Sequence, residues 1–358
     1  MDKCALVLCS KTGFVGAERR LLRVYSEIAK QQNGICVIFQ SSPQVNTMEL
    51  MQQMGLDYSD FYSVRCFDTR RQLVNECLTG GYKALHFVDS SLLWTLLVIL
   101  ARFQNIRTLE TVASVYLAQR TGSMKFRCLS LLLWNVVDHI DLLYPQYASK
   151  VERVCKASKI TCTPGTFTDL TLFHPEKKQK LLLFSAARLS EDKGPQILVA
   201  ALKQIADSIR QYGYQAIIIG RGYQENELQT EIQANHLDDI VQMLGYVSPQ
   251  DYIPTAEVVF SLQRMNYPSQ VVAEACASGC CVIASKNALD PTEFLNESFA
   301  RFCNRNPQSL AKVILAYLEL PQEQKAELQK NARIHAEKYF SIEYSVNYFS
   351  GLLSKLTR

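Results

Sequence analysis

Short apolar runs alternate with amphipathic helical patterns along nearly the whole chain. Leu181-Leu182-Leu183-Phe184 and Ile217-Ile218-Ile219-Gly220 contain no polar alternation at all. A strand reads this way when both its faces are buried, as in a parallel sheet covered by helices on either side. The candidate strands of the first half are Cys4–Cys9, Ile35–Phe39, Ala84–Val88, Thr108–Val112, His139–Leu143 and Lys159–Thr163. Those of the second half are Leu181–Ala186, Gln215–Ile219, Ile240–Met243, Val258–Leu262, Cys281–Ala284 and Ala300–Cys303. With right-handed crossovers this alternation predicts an α/β protein of doubly wound, Rossmann-like topology.

A chain of 358 residues is too long for one ordinary core. The alternation pauses once, between Thr163-Pro164-Gly165 and the charge run ending at Lys180. Two prolines, a glycine and clustered charge predict a domain boundary there. We place an N-terminal domain at 1–173 and a C-terminal domain at 174–340, with a final helix over 341–358 returning to the first. The formal charge is +5 over residues 1–173 and −1 over 174–358, an excess that ordinary surface variation also covers. The twelve cysteines fall mostly in apolar runs, and no Cys-x-x-Cys pair or histidine cluster marks a metal site. A reducing cytoplasm fits that usage. A strand is expected at the start rather than a signal peptide, and the apolar segments Leu92–Ala101 and Cys128–Val137 are half the length of a membrane span. Both are expected as buried helices.

Ligands of open α/β sheets lie beyond the carboxyl ends of the strands, so the turns there are the candidate sites. Thr12-Gly13-Phe14-Val15-Gly16-Ala17-Glu18-Arg19-Arg20 follows the first strand and opens a helix, without the glycine spacing of a dinucleotide fingerprint. Ser185 to Gly194 follows the first strand of the second half and carries Arg188 and Lys193. Two cations there can neutralise a diphosphate, or pair with Glu191 and Asp192 as a solvated loop. Gly220-Arg221-Gly222-Tyr223 reads as a tight turn. Gly245-Tyr246-Val247 offers backbone groups to a nucleobase or is an ordinary loop. Asn266 to Ser285 is a polar loop, a short small-residue helix bearing Glu274, and a strand. Free amides at such a helix start attract anions, and the carboxylate can hold a ribose.

This order of turns resembles the second domain of retaining glycosyltransferases of family 4, the glycosyl transferases group 1, which have the GT-B fold of two Rossmann-like domains facing across a cleft. Gly16-Ala17-Glu18-Arg19 is similar to the family's first-domain turn, and the segments Thr163–Asp169 and Phe173-His174-Pro175 to its interdomain segment. The resemblance implies metal-independent transfer of a sugar, with retention, from a UDP- or GDP-type nucleoside-diphosphate donor to a glycan or lipid-linked acceptor. Surface polysaccharide or lipopolysaccharide synthesis is the implied setting. No cofactor and no nucleic acid partner are expected. By position, Arg188 and Lys193 would stabilise the leaving diphosphate and Glu274 would hold the ribose. Val271 and Val272 would offer amides to phosphate or sugar, Gly245, Tyr246 and Val247 would lie near the base, and Gly16 would meet the diphosphate.

Two positions depart from the family pattern. Its first glutamate, which touches the transferred sugar, is Asn266 here, and its histidine in the Thr-Val-His-Asp motif is Ala113. Asn266 still hydrogen-bonds hydroxyls but carries no charge, and Arg264 could supply polarity. His86 fits another strand-end histidine, or is a satisfied core histidine. Arg120, Lys125, Phe126 and Arg127 lead into Leu129 and Leu131–Trp134, either as a rest on an anionic bilayer or as the solvated start of a core helix. The expected location is the cytoplasm, with peripheral contact at the inner face of its membrane as an option. The competing readings are a non-catalytic glycosyltransferase-like protein that binds a nucleotide or partner, and a nucleotide-sugar epimerase of the same fold.

Overall fold

The computed structural model describes residues 2–10, 16–41, 49, 51, 52, 54, 56–88, 92–113, 124–163, 165–264, 269–286 and 295–358. The chain divides into two compact units, Met1–Pro164 with Glu343–Arg358, and Gly165–Ile342.

The first unit runs β1 (Lys3–Ser10), α1 (Gly16–Gln31), β2 (Ile35–Ser41), β3 (Ser63–Phe67), α2 (Arg70–Thr79), β4 (Tyr82–Val88), α3 (Leu92–Phe103), β5 (Arg107–Val112), α4 (Met124–Val136), β6 (His139–Leu142), α5 (Ala148–Val151) and β7 (Ile160–Cys162). Its strands pair in the order β3-β2-β1-β4-β5-β6-β7, all parallel. The second unit runs β8 (Gln179–Arg188), α6 (Pro195–Gln204), α7 (Ala206–Tyr212), β9 (Gln215–Arg221), α8 (Glu225–Ala234), β10 (Val241–Gly245), β11 (Ala256–Ser261), α9 (Gln270–Ala277), β12 (Cys281–Ser285), β13 (Ala300–Cys303), α10 (Pro307–Leu318) and α11 (Gln322–Tyr339). Its order is β10-β9-β8-β11-β12-β13, again all parallel. The final helix, α12 (Ile342–Thr357), belongs almost wholly to the first unit.

Apolar runs become central strands because each neighbouring residue faces a different core. Leu182, Phe184, Ile218, Val258 and Phe260 enter one cluster, under α6, α8 and α10. Leu181, Leu183, Ile219, Val259 and Val282 enter the other, with α9 and α11. Both faces are dry, so alternation of polar residues would leave groups without water or partners. Cys276, Cys280 and Cys281 are free thiols in these cores, packed as small hydrophobes.

The units divide at Pro164 and Gly165, earlier than the expected 173/174 boundary. The reason is packing. Phe173 joins the second unit's core, and the Thr168 amide donates to the Phe340 carbonyl at 2.9 Å. The pause in the strand pattern is therefore an irregular segment laid over the second unit. The apolar helices also differ from expectation. α3 buries Trp94, Leu97, Val98 and Ala101 but exposes Leu96 and Phe103, and α4 exposes Met124 and Leu132 while burying Leu133 and Trp134.

α12 is tied to the first sheet by a buried polar chain. The Tyr348 hydroxyl donates to Asp141 Oδ1 at 2.6 Å and lies 2.7 Å from Thr161 Oγ1, while Phe349 stacks on His86 at 5.6 Å. The amino edge of the second sheet holds a comparable group. Lys325 Nζ stands 4.0 Å from Glu257 Oε2 and 2.9 Å from the Tyr214 hydroxyl, which donates to Glu257 at 2.5 Å. The Tyr214 and Tyr317 rings lie beside the ammonium, at 5.4 and 5.1 Å from centroid to Nζ. Removing one charge would strand the other in low dielectric. Lys325→Ala is expected to cost about 3–5 kcal/mol of stability, read by urea unfolding, and Lys325→Met with Glu257→Leu should recover most of it.

Candidate functional site

In the second unit the strand order reverses between β8 and β11, which is where an open parallel sheet leaves a crevice at its carboxyl edge. β8 ends on Arg188, whose side chain is exposed and makes no hydrogen bond or ion pair among the described residues. The chain then turns through 189–194 into α6. Lys193 Nζ reaches across this reversal and donates to Gln263 Oε1, at the exit of β11, at 3.0 Å. Gly194 has φ +83 and lies against that exit, so a Cβ there would meet the Leu262 carbonyl oxygen at 2.8 Å. Only glycine both adopts this backbone and permits the approach.

Side chains from distant parts of the chain brace the turn. The Arg264 guanidinium pairs with Glu191 Oε1 at 2.8 Å, and its amide donates to the Asp192 carbonyl at 3.2 Å. Arg305, after β13, donates from Nε to the Leu262 carbonyl at 2.9 Å and from its terminal nitrogen to the Glu191 carbonyl. Burial holds the Arg305 pKa below its ordinary value, and the Arg264 charge adds to this. Ser190 donates to Asp192 Oδ1 at 2.5 Å; that bond, with the Lys193 and Arg188 charges, holds the Asp192 carboxyl low. The Tyr223 hydroxyl accepts from the Glu191 amide at 2.9 Å. The turn thus gathers four cations around two carboxylates. Arg264 is spent on Glu191.

α9 follows β11. Its N-cap, Ser269, makes no side-chain cap bond, and the first amides of a helix, here including Val271 and Val272, have no intrahelical acceptor. The Val272 side chain is buried in the core beneath and Val271 packs against it, which fixes the helix start. One turn on, Glu274 is half-buried. Gln270 Nε2 donates to its Oε1 at 3.0 Å, and Thr166 Oγ1 donates to Gln270 Oε1 at 2.8 Å, which sets the amide's orientation. The second Glu274 oxygen makes no hydrogen bond among the described residues. Burial pushes the Glu274 carboxyl up to about 7, with the Gln270 bond acting the other way.

Gly245 ends β10 at φ +67 beside the Arg221 guanidinium. Tyr246 follows, 76% exposed, then half-buried Val247. They stand at the same sheet edge, on the strand two places from β8. The Gly220-Arg221-Gly222 segment is a packing device: a Cβ on Gly220 would fall 2.0 Å from the Ala186 carbonyl oxygen. Among the described residues, no group of three or more His, Cys, Asp or Glu side chains could hold a metal ion.

Gly16 is the first residue of α1 in the other unit, and residues 11–15 before it lie outside the described residues. Asn266 also lies outside them, as does Ser114, while Ala113 is half-buried beyond β5. His86 is a satisfied core histidine. It is fully buried, its Nδ1 lies 2.8 Å from the Tyr25 hydroxyl and its Nε2 2.7 Å from Thr111 Oγ1. Thr111 donates to Asp141 Oδ2 at 2.7 Å, so it accepts from Nε2–H and leaves Nδ1 to accept from Tyr25. Burial, with the Arg20 charge second, pushes this histidine down to about 3. A side chain so held stays neutral and moves no proton.

Sequence reasoning missed Gln263, Arg305, Gln270 and Thr166. Arg305 meets Glu191 across 114 residues of chain, and no local pattern encodes such a meeting. Gln270 had a signal, its i, i+4 spacing to Glu274 on one helix face. Gly194→Ala should cost about 1–3 kcal/mol through strained backbone alone, measured by thermal unfolding.

Residues 170–335 match the family model of the glycosyl transferases group 1. The putative colanic acid biosynthesis glycosyltransferase WcaL of Escherichia coli K12 is 24% identical over 234 residues, 60% of this chain. The match spans 57% of that relative's length. Among solved structures, Anabaena Alr3699/HepE in complex with UDP superposes with a TM-score of 0.78 at 18% identity, covering 99% of this chain and 100% of that one. Sucrose-phosphate synthase from Thermosynechococcus elongatus gives 0.73 at 18% identity, with 99% of each chain covered. A glycosyltransferase from Rickettsia africae gives 0.75 at 13% identity, covering 100% of this chain and 99% of that one. Over residues 170–335 the chain is thus similar to the glycosyl transferases group 1 family, and its fold is that of the GT-B glycosyltransferases.

Proposed function

We propose that the protein transfers a glycosyl group, with retention and without a metal ion, from a UDP- or GDP-linked sugar to a glycan or lipid-linked acceptor in polysaccharide synthesis. One observation carries this reading. At the reversal of strand order stand an unspent cation, Arg188, a tethered cation, Lys193, and a half-buried carboxylate, Glu274, with one oxygen open. A nucleoside diphosphate has two regions of matching chemistry, an anionic pyrophosphate and a ribose diol. The relatedness to WcaL and the likeness to a structure that holds UDP support the same class of ligand.

In this mechanism the sugar leaves as negative charge gathers on the diphosphate. Arg188 supplies a fork and Lys193 a point charge to that developing anion, and the Val271 and Val272 amides add the positive end of α9. Because Gln263, Arg264 and Arg305 hold the turn in place beforehand, little reorganisation is needed when the charge appears. Glu274 fixes the ribose through its open oxygen, and Gly245–Val247 face the base. Asn266 would hydrogen-bond the sugar.

Arg188→Ala with Lys193→Ala should weaken UDP or GDP binding by about a hundredfold or more, since each charge-assisted contact contributes about 1.5–3 kcal/mol. Calorimetry giving parental affinity for both nucleotides would overturn the diphosphate assignment. Turnover across a donor panel separates a transferase from a protein that only binds. A specific donor should raise the melting temperature and be slowly hydrolysed, whereas nucleotide binding without hydrolysis or transfer would favour the non-catalytic reading.

Glu274 makes a pH signature. Its folded pKa of about 7 is above the ordinary carboxylate value, so between those values the unfolded chain binds fewer protons and stability falls as pH rises. Glu274→Gln should therefore stabilise the free protein above about pH 7, where the parent carboxylate is buried and charged. The same variant should bind nucleotide more weakly there. Its affinity should also lose the part of the parent's rise, from about pH 6 to about pH 8, that comes from ionising Glu274. Equal affinities and equal pH profiles in the two proteins would remove Glu274 from the ribose site.

A further inference from the structure

α3 and α4 follow successive strands, β4 and β5, and lie side by side. Their carboxyl ends are joined, since the Arg102 guanidinium donates to the Val136 carbonyl at 3.2 Å. The inner face of the pair fills the core with Trp94, Leu97, Val98, Leu133 and Trp134. The outer face is also apolar. On α3, Leu96 is 55% and Phe103 84% exposed, and Ile99 and Leu100 lie half-buried between them at helical spacing. On α4, Met124 at 78%, exposed Cys128 and Leu132 at 52% follow each other four residues apart. A surface helix normally turns charge outward, so two adjacent apolar stripes ask for a cover.

The end of this face is basic. Lys159 Nζ donates to the Asn135 and Val137 carbonyls, both at 2.8 Å, and the Asn135 amide donates to the Val154 carbonyl at 2.8 Å. Arg153 and Lys156 are thereby carried, exposed, beside the last turn of α4. Burial lowers the Lys159 pKa, with Asp138 opposing and Arg102 and Lys156 adding to the effect, so these charges form one cluster. Arg107 is partly neutralised by Asp138 at 3.0 Å. A helix carboxyl end attracts cations, which accounts for Arg102 and Lys159. It does not account for Phe103 standing in solvent beside them, nor for Arg153 and Lys156.

We propose that this face of the first unit docks on an anionic membrane surface. The apolar stripes enter the boundary between headgroups and acyl chains, and the basic end meets lipid phosphates. Charge complementarity selects this occupant: at this end Arg102, Arg107, Arg153, Lys156 and Lys159 outnumber Asp138 and Glu152, and Phe103 stands exposed beside Arg102. The helices lie on the bilayer and do not cross it, because α3 has twelve residues and no described helix is long and apolar enough to span. Arg120 and the side chains of Lys125, Phe126 and Arg127 lie outside the described residues. The proposal stands apart from the donor-site reading.

The test is co-sedimentation of the full chain with vesicles of phosphatidylcholine alone, or mixed with phosphatidylglycerol. Binding is expected only to the mixed vesicles, and should fall as salt is raised. Leu96→Gln with Phe103→Gln, and separately Arg153→Gln with Lys156→Gln, should each weaken it about tenfold or more, with circular dichroism and melting temperature unchanged. These positions are exposed, so at least one pair should fold. No sedimentation with the mixed vesicles, or parental binding by a folded variant of either pair, would overturn the proposal. So would sedimentation velocity showing a dimer that the Leu96 and Phe103 changes dissociate, in a chain that ignores vesicles: the cover would then be a second copy.

Discussion

A parallel strand cannot hand the chain directly to its neighbour. Each must be followed by a crossover, and because all strands run the same way every post-strand turn leaves at the same edge of the sheet. Everything functional in the second unit follows from this constraint. Arg188, Gly245 and the chain leading into α9 share an edge because β8, β10 and β11 are parallel and end together. The reversal of order between β8 and β11 sends the two adjacent crossovers to opposite faces, which opens the crevice that Lys193 bridges. The order of turns along the sequence thus becomes an arrangement in space without any of them touching in the chain.

A turn that carries cations next to one another has a problem of its own, for the charges repel and the loop would splay. Here the carboxylates of Glu191 and Asp192 offset the charge, and Gln263, Arg264 and Arg305 tie the backbone down. The pairing of Arg264 with Glu191 is exposed and contributes little stability by itself. Its contribution is geometric: it ties the Glu191 side chain to Arg264. The loop thus holds ion-paired and hydrogen-bonded cations side by side, Arg264 on Glu191 and Lys193 on Gln263.

The fold was largely legible because both-face burial writes itself as uninterrupted apolar residues. Leu181–Phe184 and Cys281–Ala284 could be read as central strands on that ground alone. β3 escaped notice for the opposite reason. Ser63–Phe67 is an edge strand with Arg65 and Cys66 exposed, so its residues carry no burial pattern to read. The strand ends and the cation turn were visible through their glycines and charges. The braces were not, since Arg305 and Gln263 acquire their roles only from the tertiary approach of β13 and β11 to the turn. His86 shows the reverse error waiting to be made. Its strand-end position suggests chemistry, and only the partners on both nitrogens show a structural histidine.

Glu274 shows how the site and the stability of the free protein are linked. A carboxylate half-removed from water is costly when ionised, and the fold supplies only one hydrogen bond to offset this, from Gln270. A second donor from the protein would lower the cost but would occupy the oxygen left open. The orientation of Gln270 is in turn fixed by Thr166, in the segment where the chain enters the second unit. The carboxylate is thus held in place and left incompletely satisfied. A group that donated a hydrogen bond to the second oxygen would gain from desolvation the protein has already undergone.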